Sequence, residues 1–73
     1  MKQLDLHGVR HNDAQILLDQ FLWDNIQQNQ KEVAIITGIS DQMKKIVKNC
    51  VDDYMMTYEE EYNNPGKIII KLV

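Results

Sequence analysis

Asp5, His7 and Gly8 follow closely on one another near the start of the chain. In an extended strand, side chains two residues apart lie on the same face, so the Asp5 carboxylate and the His7 imidazole share one face. A carboxylate next to an imidazole can hold its tautomer and raise its basicity, as general acid–base catalysis requires. The alternative is an exposed histidine beside a carboxylate that accepts a backbone N–H, and the spacing leaves both open.

A second candidate segment has the sequence Thr37-Gly38-Ile39-Ser40 and precedes a predicted helix. The N–H groups at a helix N-terminus bind phosphate or carboxylate, and Thr37 and Ser40 add hydroxyl donors. Three lysines on the first turns of that helix, away from its apolar stripe, supply positive charge: Lys44, Lys45 and Lys48. The alternative is an ordinary turn with Ser40 as the helix N-cap.

The other reactive residue types form no known catalytic or metal-binding motif. His11 is four residues from His7, but Gly8 lies between them, so a helical pair of histidine ligands is not indicated and no metal ligand is assigned. One ion shared by Asp5, His7 and His11 is the arrangement that stays open. Cys50 falls in an apolar stripe and is expected to be a packed small side chain. The sequence contains no Ser-His-Asp order, P-loop lysine or dinucleotide fingerprint.

Two strands and two helices must position these segments. Residues 2–7 alternate with period 2, as a half-buried strand does, and residues 32–37 are almost continuously apolar, which predicts a central strand covered on both faces. A helix follows each strand, with Asn12 as the predicted N-cap of the first and Ser40 of the second. The predicted apolar stripes are Ala14, Leu17, Leu18, Phe21, Leu22 and Ile26 in the first helix, and Met43, Ile46, Val47, Cys50, Val51, Tyr54 and Met55 in the second.

The last part of the chain predicts a hairpin. Residues 57–62 suit an edge strand, residues 63–66 (Asn-Asn-Pro-Gly) are a turn signal, and residues 67–73 alternate. The order is therefore β-α-β-α-β-β. Strand–helix–strand links imply parallel pairing, and the hairpin adds an antiparallel strand. We predict an α+β fold: a small mixed four-stranded sheet with two helices packed on it. Ligands bind beyond the carboxyl ends of parallel strands, where residues 4–8 and 35–40 arrive.

Size and composition limit the classes of protein to consider. With 73 residues, the chain 1–73 is expected to be a single domain. The longest apolar run extends only from Val33 to Ile36, so neither a membrane helix nor a signal peptide is expected. The single cysteine favours a reducing, cytoplasmic location. The net charge is −3, but residues 52–61 hold five acids and no base, and the remainder has 8 basic against 6 acidic residues. This balance keeps a nucleic-acid surface open.

Residues 4–8, Leu-Asp-Leu-His-Gly, resemble the LDLHG motif that opens the small MutS-related (Smr) domain. Residues 36–40 resemble the end of that family's second strand, which carries a T/H-G-x-G motif. The likeness extends over residues 3–73 and suggests a minimal, stand-alone version of the domain. It implies a β-α-β-α-β-β sandwich, nucleic-acid binding and, in several members, a nicking or RNA-cleaving endonuclease.

The positions of the two family motifs can be matched one by one to residues of this chain. Asp5, His7 and Gly8 match the first motif, and Thr37 and Gly38 match the second. Ser40 stands where the second motif has its other glycine, and the family's longer Gly/Ser-rich loop before the second helix is missing. We expect this departure to affect catalysis more than the fold.

Three hypotheses about function follow. In the first, a nuclease-type domain uses His7 as general acid/base, oriented by Asp5, or Asp5 holds a divalent cation such as Mg²⁺ or Mn²⁺. In the second, the same fold binds DNA or RNA without cutting it. In the third, it is a protein-interaction module that uses Ile16, Trp23 and residues 52–61.

We favour nucleic-acid binding, and the oligomeric state is left open. The predicted site comprises catalytic Asp5 and His7 and a nucleic-acid-binding surface of Gly8, Arg10, Thr37, Gly38, Ser40, Lys44 and Lys48. Phosphate is expected to approach from the start of the second helix rather than from the hairpin. Residues 59–61 are expected to form a distant, solvated acidic edge.

Overall fold

The computed structural model describes residues 1–61 and 63–72, and its elements follow the predicted order. They are β1 (Lys2–Asp5), α1 (His11–Gln27), β2 (Glu32–Ile36), α2 (Asp41–Asp53), β3 (Thr57–Glu61) and β4 (Asn64–Lys71). The predicted α+β fold, with two helices and a mixed four-stranded sheet, is confirmed. Tyr62 and Val73, which end two of the predicted strands, lie outside the described residues. Within the described residues, no helix is long and apolar enough to cross a membrane.

The sheet order is β1-β2-β4-β3. β1 pairs with β2 in parallel, and β4 runs antiparallel to both of its neighbours, β2 and β3. The carboxyl ends of β1 and β2 therefore meet at one edge of the sheet. Because β4 runs the opposite way, its first residues also start at that edge, beside the end of β3. The hairpin is thus close to the site that the two parallel strands carry.

Both helices pack on one face of the sheet. The core on that face joins residues of α1 and α2 to alternate residues of β2 and β4, among them Leu18, Val47, Val33 and Ile70. Ala34 belongs to the opposite face, where it lies in register between Gln3 and Ile69 and is also buried. β2 is a central strand, as predicted, and it is buried on both faces from Val33 to Ile35, although among the described residues the helices pack only on the face of Val33 and Ile35.

α1 begins earlier than predicted, at His11. Arg10 is the N-cap, with an extended backbone (φ −64°, ψ 140°), and its carbonyl accepts the N–H groups of Asp13 and Ala14. Asn12 therefore lies inside the first turn, and the prediction that it caps the helix is wrong. The buried face is also narrower than predicted, since Leu17 is 38% exposed on the flank of the helix.

α2 has the predicted N-cap, because the Ser40 side chain accepts the N–H of Met43 at 3.2 Å. Its buried face is formed by Met43, Val47, Cys50 and Val51. The predicted stripe extends too far at Met55, which lies beyond the helix with a positive φ of 58° and is 93% exposed. There the chain turns away from the helix axis, so the apolar side chain points to solvent.

Candidate functional site

The two predicted motifs meet at the shared edge of β1 and β2. The Leu6 N–H donates to the Ile36 carbonyl at 2.8 Å, which extends the parallel pairing to the last residue of β2. The His7 ring then lies against Gly38: a Cβ atom on Gly38 would lie 2.8 Å from His7 Cδ2. The expectation that His7 lies at the carboxyl end of the first strand, beside the 37–40 loop, is confirmed.

Gly8 and the Asp5 carboxylate set the turn that presents His7. Gly8 has a φ of +81°, a backbone conformation that glycine adopts without steric cost, and the Val9 N–H closes the turn onto the Leu6 carbonyl at 3.1 Å. Asp5 Oδ1 accepts the backbone N–H of His7 at 2.9 Å. No hydrogen bond joins this carboxylate to the His7 ring in the described part of the chain. Asp5 thus positions the backbone of His7, which is the alternative that the spacing had left open.

The 37–40 loop is held in place by Gly66 of β4. The Gly66 carbonyl accepts the N–H of Thr37 at 2.7 Å and that of Gly38 at 3.2 Å. The Thr37 hydroxyl is buried and lies 2.8 Å from the Gly38 carbonyl and 3.2 Å from that of Gly66. Its proton is therefore engaged within the protein, so Thr37 stabilises the loop from inside. Gly66 was predicted only as part of a turn, and its contact with the loop depends on β4 lying next to β2.

A bulge in the hairpin brings Gly66 to this position. Glu60 pairs with Ile68, but the next β3 residue, Glu61, pairs with Asn64, so residues 65–67 form the bulged part of β4. The Asn64 side chain accepts the Gly66 N–H at 3.3 Å and steadies the bulge. The predicted turn at 63–66 is therefore shorter than expected, with Asn64 already in the strand. Bulges of this kind are common next to functional sites.

The two motifs enclose an open cleft of about 600 Å³. It is lined by Leu6, His7, Gly8, Val9, His11, Thr37, Gly38, Ile39, Ser40 and Met43. Both helices begin here, α1 at His11 and α2 directly after Ser40. Arg10, the N-cap residue of α1, forms no side-chain capping bond, so among the described residues no capping side chain uses the first N–H groups of this helix. Helix N-termini attract anions, although an aspartate in the first turn of each helix, Asp13 and Asp41, partly offsets this attraction.

The predicted basic residues divide into two groups. Lys48 pairs with Glu60 at 2.6 Å, and its ammonium lies 5.7 Å from the centre of the Tyr58 ring. The hydrogen bond from Lys48 lowers the pKa of Glu60, and the same bond raises the pKa of Lys48. Arg10, Lys44 and Lys45 form no salt bridge with any described residue. Arg10 and Lys44 are each one residue away in sequence from a residue that lines the cleft.

The acidic residues of β3 lie on an edge strand, but they are close to basic residues. Each of the three pairs with a lysine: Glu60 with Lys48, Glu61 with Lys67 at 3.6 Å, and Glu59 with Lys71 at 3.2 Å. The prediction of a solvated edge at 59–61 is confirmed, since β3 is an edge strand and all three side chains are exposed. The expectation that this edge is distant is wrong, because β3 lies next to β4 and contacts α2. The basic excess outside residues 52–61 is consequently neutralised in part by those acids.

His7 and His11 belong to no metal-binding cluster of the described residues. Among the described residues, no group of three or more His, Cys, Asp or Glu side chains lies close enough together to hold a metal ion. The arrangement in which Asp5, His7 and His11 share one ion is therefore not formed. His11 instead lines the cleft, as do Val9, Ile39 and Met43, and none of these four was predicted as a site residue. The apolar members carry no sequence signal, since their role depends on where the turn and the loop meet.

Comparison with known proteins agrees with this architecture. The model of the Smr domain family matches residues 4–64. The crystal structure of the Smr domain of Thermus thermophilus MutS2 is similar, with a TM-score of 0.88 and 13% sequence identity over 97% of this chain and 96% of that one. At that identity, the likeness shows a shared fold. No curated protein matches the chain.

Proposed function

This chain belongs to the Smr domain family, a family associated with nucleic-acid binding and nicking endonuclease activity, and from that membership we propose that its cleft binds the phosphodiester backbone of a nucleic acid. The observation that carries the proposal is the juxtaposition of His7 with Gly38 at the point where both helices begin. Phosphate is the ligand that such helix starts attract.

The groups around the cleft have complementary roles in this proposal. Backbone N–H groups at the uncapped start of α1 and the positive charges of Arg10 and Lys44 hold phosphate oxygens. The Ser40 oxygen accepts the Met43 N–H, and its own proton has no acceptor among the described residues, so this hydroxyl can donate to a phosphate. Ser40 thereby offers a hydrogen bond where the family motif has a glycine.

Cleavage of the bound phosphodiester is the second step of the proposal. The His7 side chain is exposed in the cleft while its backbone is fixed by Asp5, so the imidazole can reach a substrate oxygen. An imidazole so placed can take a proton from the attacking oxygen or give one to the leaving oxygen. Asp5 acts through the turn, and we assign it a positioning role. In the alternative, Asp5 would hold a divalent cation, Mg²⁺ or Mn²⁺, that activates the attacking oxygen, and the metal dependence of cleavage tests this alternative.

A different function is favoured by the outer surface of α1. Ile16 and Trp23 are 58% and 60% exposed, and their spacing of seven residues places them on one side of the helix. Exposed apolar residues on one helix face are typical of a docking surface for another protein. In this alternative the cleft has no ligand, and the protein partner covers Ile16 and Trp23.

Labelled oligonucleotides separate the two functions. The purified protein is incubated with branched DNA, duplex DNA and structured RNA, with and without Mg²⁺ or Mn²⁺, and both gel retardation and cleavage are measured. The proposal expects retardation at low salt. If cleavage occurs, His7→Ala should slow it by roughly 10²–10⁴-fold while binding persists.

The matched control is Trp23→Ala, an exposed position outside the cleft, which should leave retardation and cleavage unchanged. A folded His7→Ala protein with full cleavage activity would exclude the acid–base role. Absence of binding by the parent protein at low salt would favour the protein-interaction function instead.

A further inference from the structure

Ile39 is an apolar side chain displayed at the rim of the cleft. It is 84% exposed, although it belongs to a loop whose other residues are fixed. Thr37 and Gly38 form hydrogen bonds with Gly66, and Ser40 caps α2. The backbone on both sides of Ile39 therefore has little conformational freedom. The loop therefore holds an aliphatic side chain outward, next to the cleft, where it contributes little to the hydrophobic core.

The walls of the cleft next to Ile39 are suited to a flat ring. Val9 provides apolar surface, and His7 and His11 provide two imidazoles, whereas Met43 also borders the cleft but is only 2% exposed. Imidazole rings stack on nucleobases, and apolar side chains help to enclose an unstacked base, whereas phosphates bind at helix starts. The volume of about 600 Å³ lies within the usual range of ~300–1,000 Å³ for sites that enclose small ligands.

We propose that the cleft takes one unstacked nucleobase, which packs against Ile39 and Val9 while the adjoining phosphate lies at the start of α2. This inference rests on the proposed nucleic-acid binding and adds a substrate class to it. Removing a base from a continuous duplex costs a few kcal/mol, and that cost is least where the base is already unpaired. The protein therefore favours nucleic acids with an unpaired nucleotide, such as a bulge, gap or flap, over fully paired duplexes.

The test compares a duplex carrying one unpaired 2-aminopurine with the same duplex fully paired, in DNA and in RNA form. The parent protein should bind the bulged form more tightly and change the fluorescence of the unpaired analogue. Full burial of an isoleucine side chain corresponds to roughly 10- to 150-fold in affinity, so Ile39→Ser should reduce the preference for the bulge by up to that factor. Ile39→Met, which keeps an apolar surface, should retain most of the preference.

Ile16→Ser is the matched control, since it removes an exposed isoleucine that lies outside the cleft, and it should leave the preference unchanged. Equal binding of bulged and paired forms by the parent, or an unaltered preference in Ile39→Ser, would overturn this inference while leaving backbone binding intact. Failure of the parent to bind either form would overturn the proposed function and this inference with it.

Discussion

Glycine at positions 8 and 38 allows the backbone to present the His7 ring. Both residues have positive φ, +81° and +66°, in the left-handed region that costs other residues about 1–2 kcal/mol. They differ in their surroundings, because a Cβ on Gly8 would meet no atom of the described residues within 4 Å, whereas one on Gly38 would lie 2.8 Å from His7 Cδ2. Gly8 is needed for backbone conformation alone, and Gly38 is needed for conformation and for space.

This difference predicts distinct outcomes for two matched substitutions. Gly8→Ala should lower the free energy of unfolding by about 1–2 kcal/mol and leave the His7 ring in place. Gly38→Ala should lower it by at least as much and also displace the ring, since His7 and a new Cβ cannot occupy the same space. Urea unfolding and the chemical shifts of the His7 ring protons measure the two effects. Unchanged ring shifts in Gly38→Ala would contradict the contact.

At the scale of elements, the contact of α2 with β3 determines which lysine side chains of α2 are unpaired and can bind a ligand. Lys48 is held by Glu60 at 2.6 Å on the outer side of α2, while Lys44, one turn earlier, forms no salt bridge with a described residue. Both lysines were predicted to bind nucleic acid, and only Lys44 is free to do so without breaking a pair. That Lys48 binds nucleic acid stays a prediction, and removing the charge of its partner Glu60 tests it.

Glu60→Gln should strengthen nucleic-acid binding if Lys48 lies on the binding surface. The slope of log affinity against log salt concentration should then steepen by up to ~0.7–0.9, the value of one further phosphate contact. Thermal stability should change little, because the pair is exposed to solvent. Glu59→Gln, which frees Lys71 on the other face of the sheet, is the control and should leave the slope unaltered. An unchanged slope in Glu60→Gln would place Lys48 outside the surface.

The end of α2 tests the claim that a positive φ is costly for residues other than glycine. The Met55 N–H donates to the Asp52 carbonyl and the Met56 N–H to that of Val51, the two bonds of a Schellman cap, with Met55 at its left-handed position. Glycine usually occupies that position. Met55→Gly should therefore raise the free energy of unfolding, by about 0.5–1 kcal/mol, since the side chain is almost wholly exposed and its loss removes no packing. Lower stability in urea unfolding would contradict this account of the cap.

Local patterns predict the elements well, but they do not predict what lies beside each element. The alternation around Leu6 and the β-branched residues near Ile35 indicated β1 and β2, and the glycines after them located the loops. The same pattern predicted that Ala34 is buried, but it could not predict its register partner Ile69, which belongs to a strand far along the chain. For the same reason Gly66 was predicted as a turn residue and not as a partner of Thr37.

At the scale of the whole molecule, α1 and α2 are joined around a buried thiol. Cys50 donates to Asp19 Oδ1 at 3.4 Å, and the Tyr54 hydroxyl donates to the same oxygen at 3.2 Å. Burial, together with the Asp19 carboxylate, raises the pKa of Cys50 to about 12. The prediction of a packed small side chain is confirmed, and the thiol additionally links the two helices.

This raised pKa makes the fold sensitive to alkaline pH. The unfolded chain loses the thiol proton near pH 9 and the folded chain only near 12, so the stabilisation is complete below about pH 9 and is lost as the pH rises toward 12. The free energy of unfolding should fall by up to ~1.4 kcal/mol per pH unit in that interval. Urea unfolding of Cys50→Ala should show a shallower decline. Equal slopes in the two proteins would exclude Cys50 as a cause.

The central claim is that nucleic acid occupies the cleft formed by the turn after β1 and the loop after β2. The most direct measurement is an amide chemical-shift titration of isotope-labelled protein with a bulged oligonucleotide at low salt. The account predicts that the largest shifts fall in residues 7–11 and 37–45, which line or adjoin the cleft. Shifts concentrated instead around Ile16 and Trp23 on α1, or no shifts at all, would contradict it.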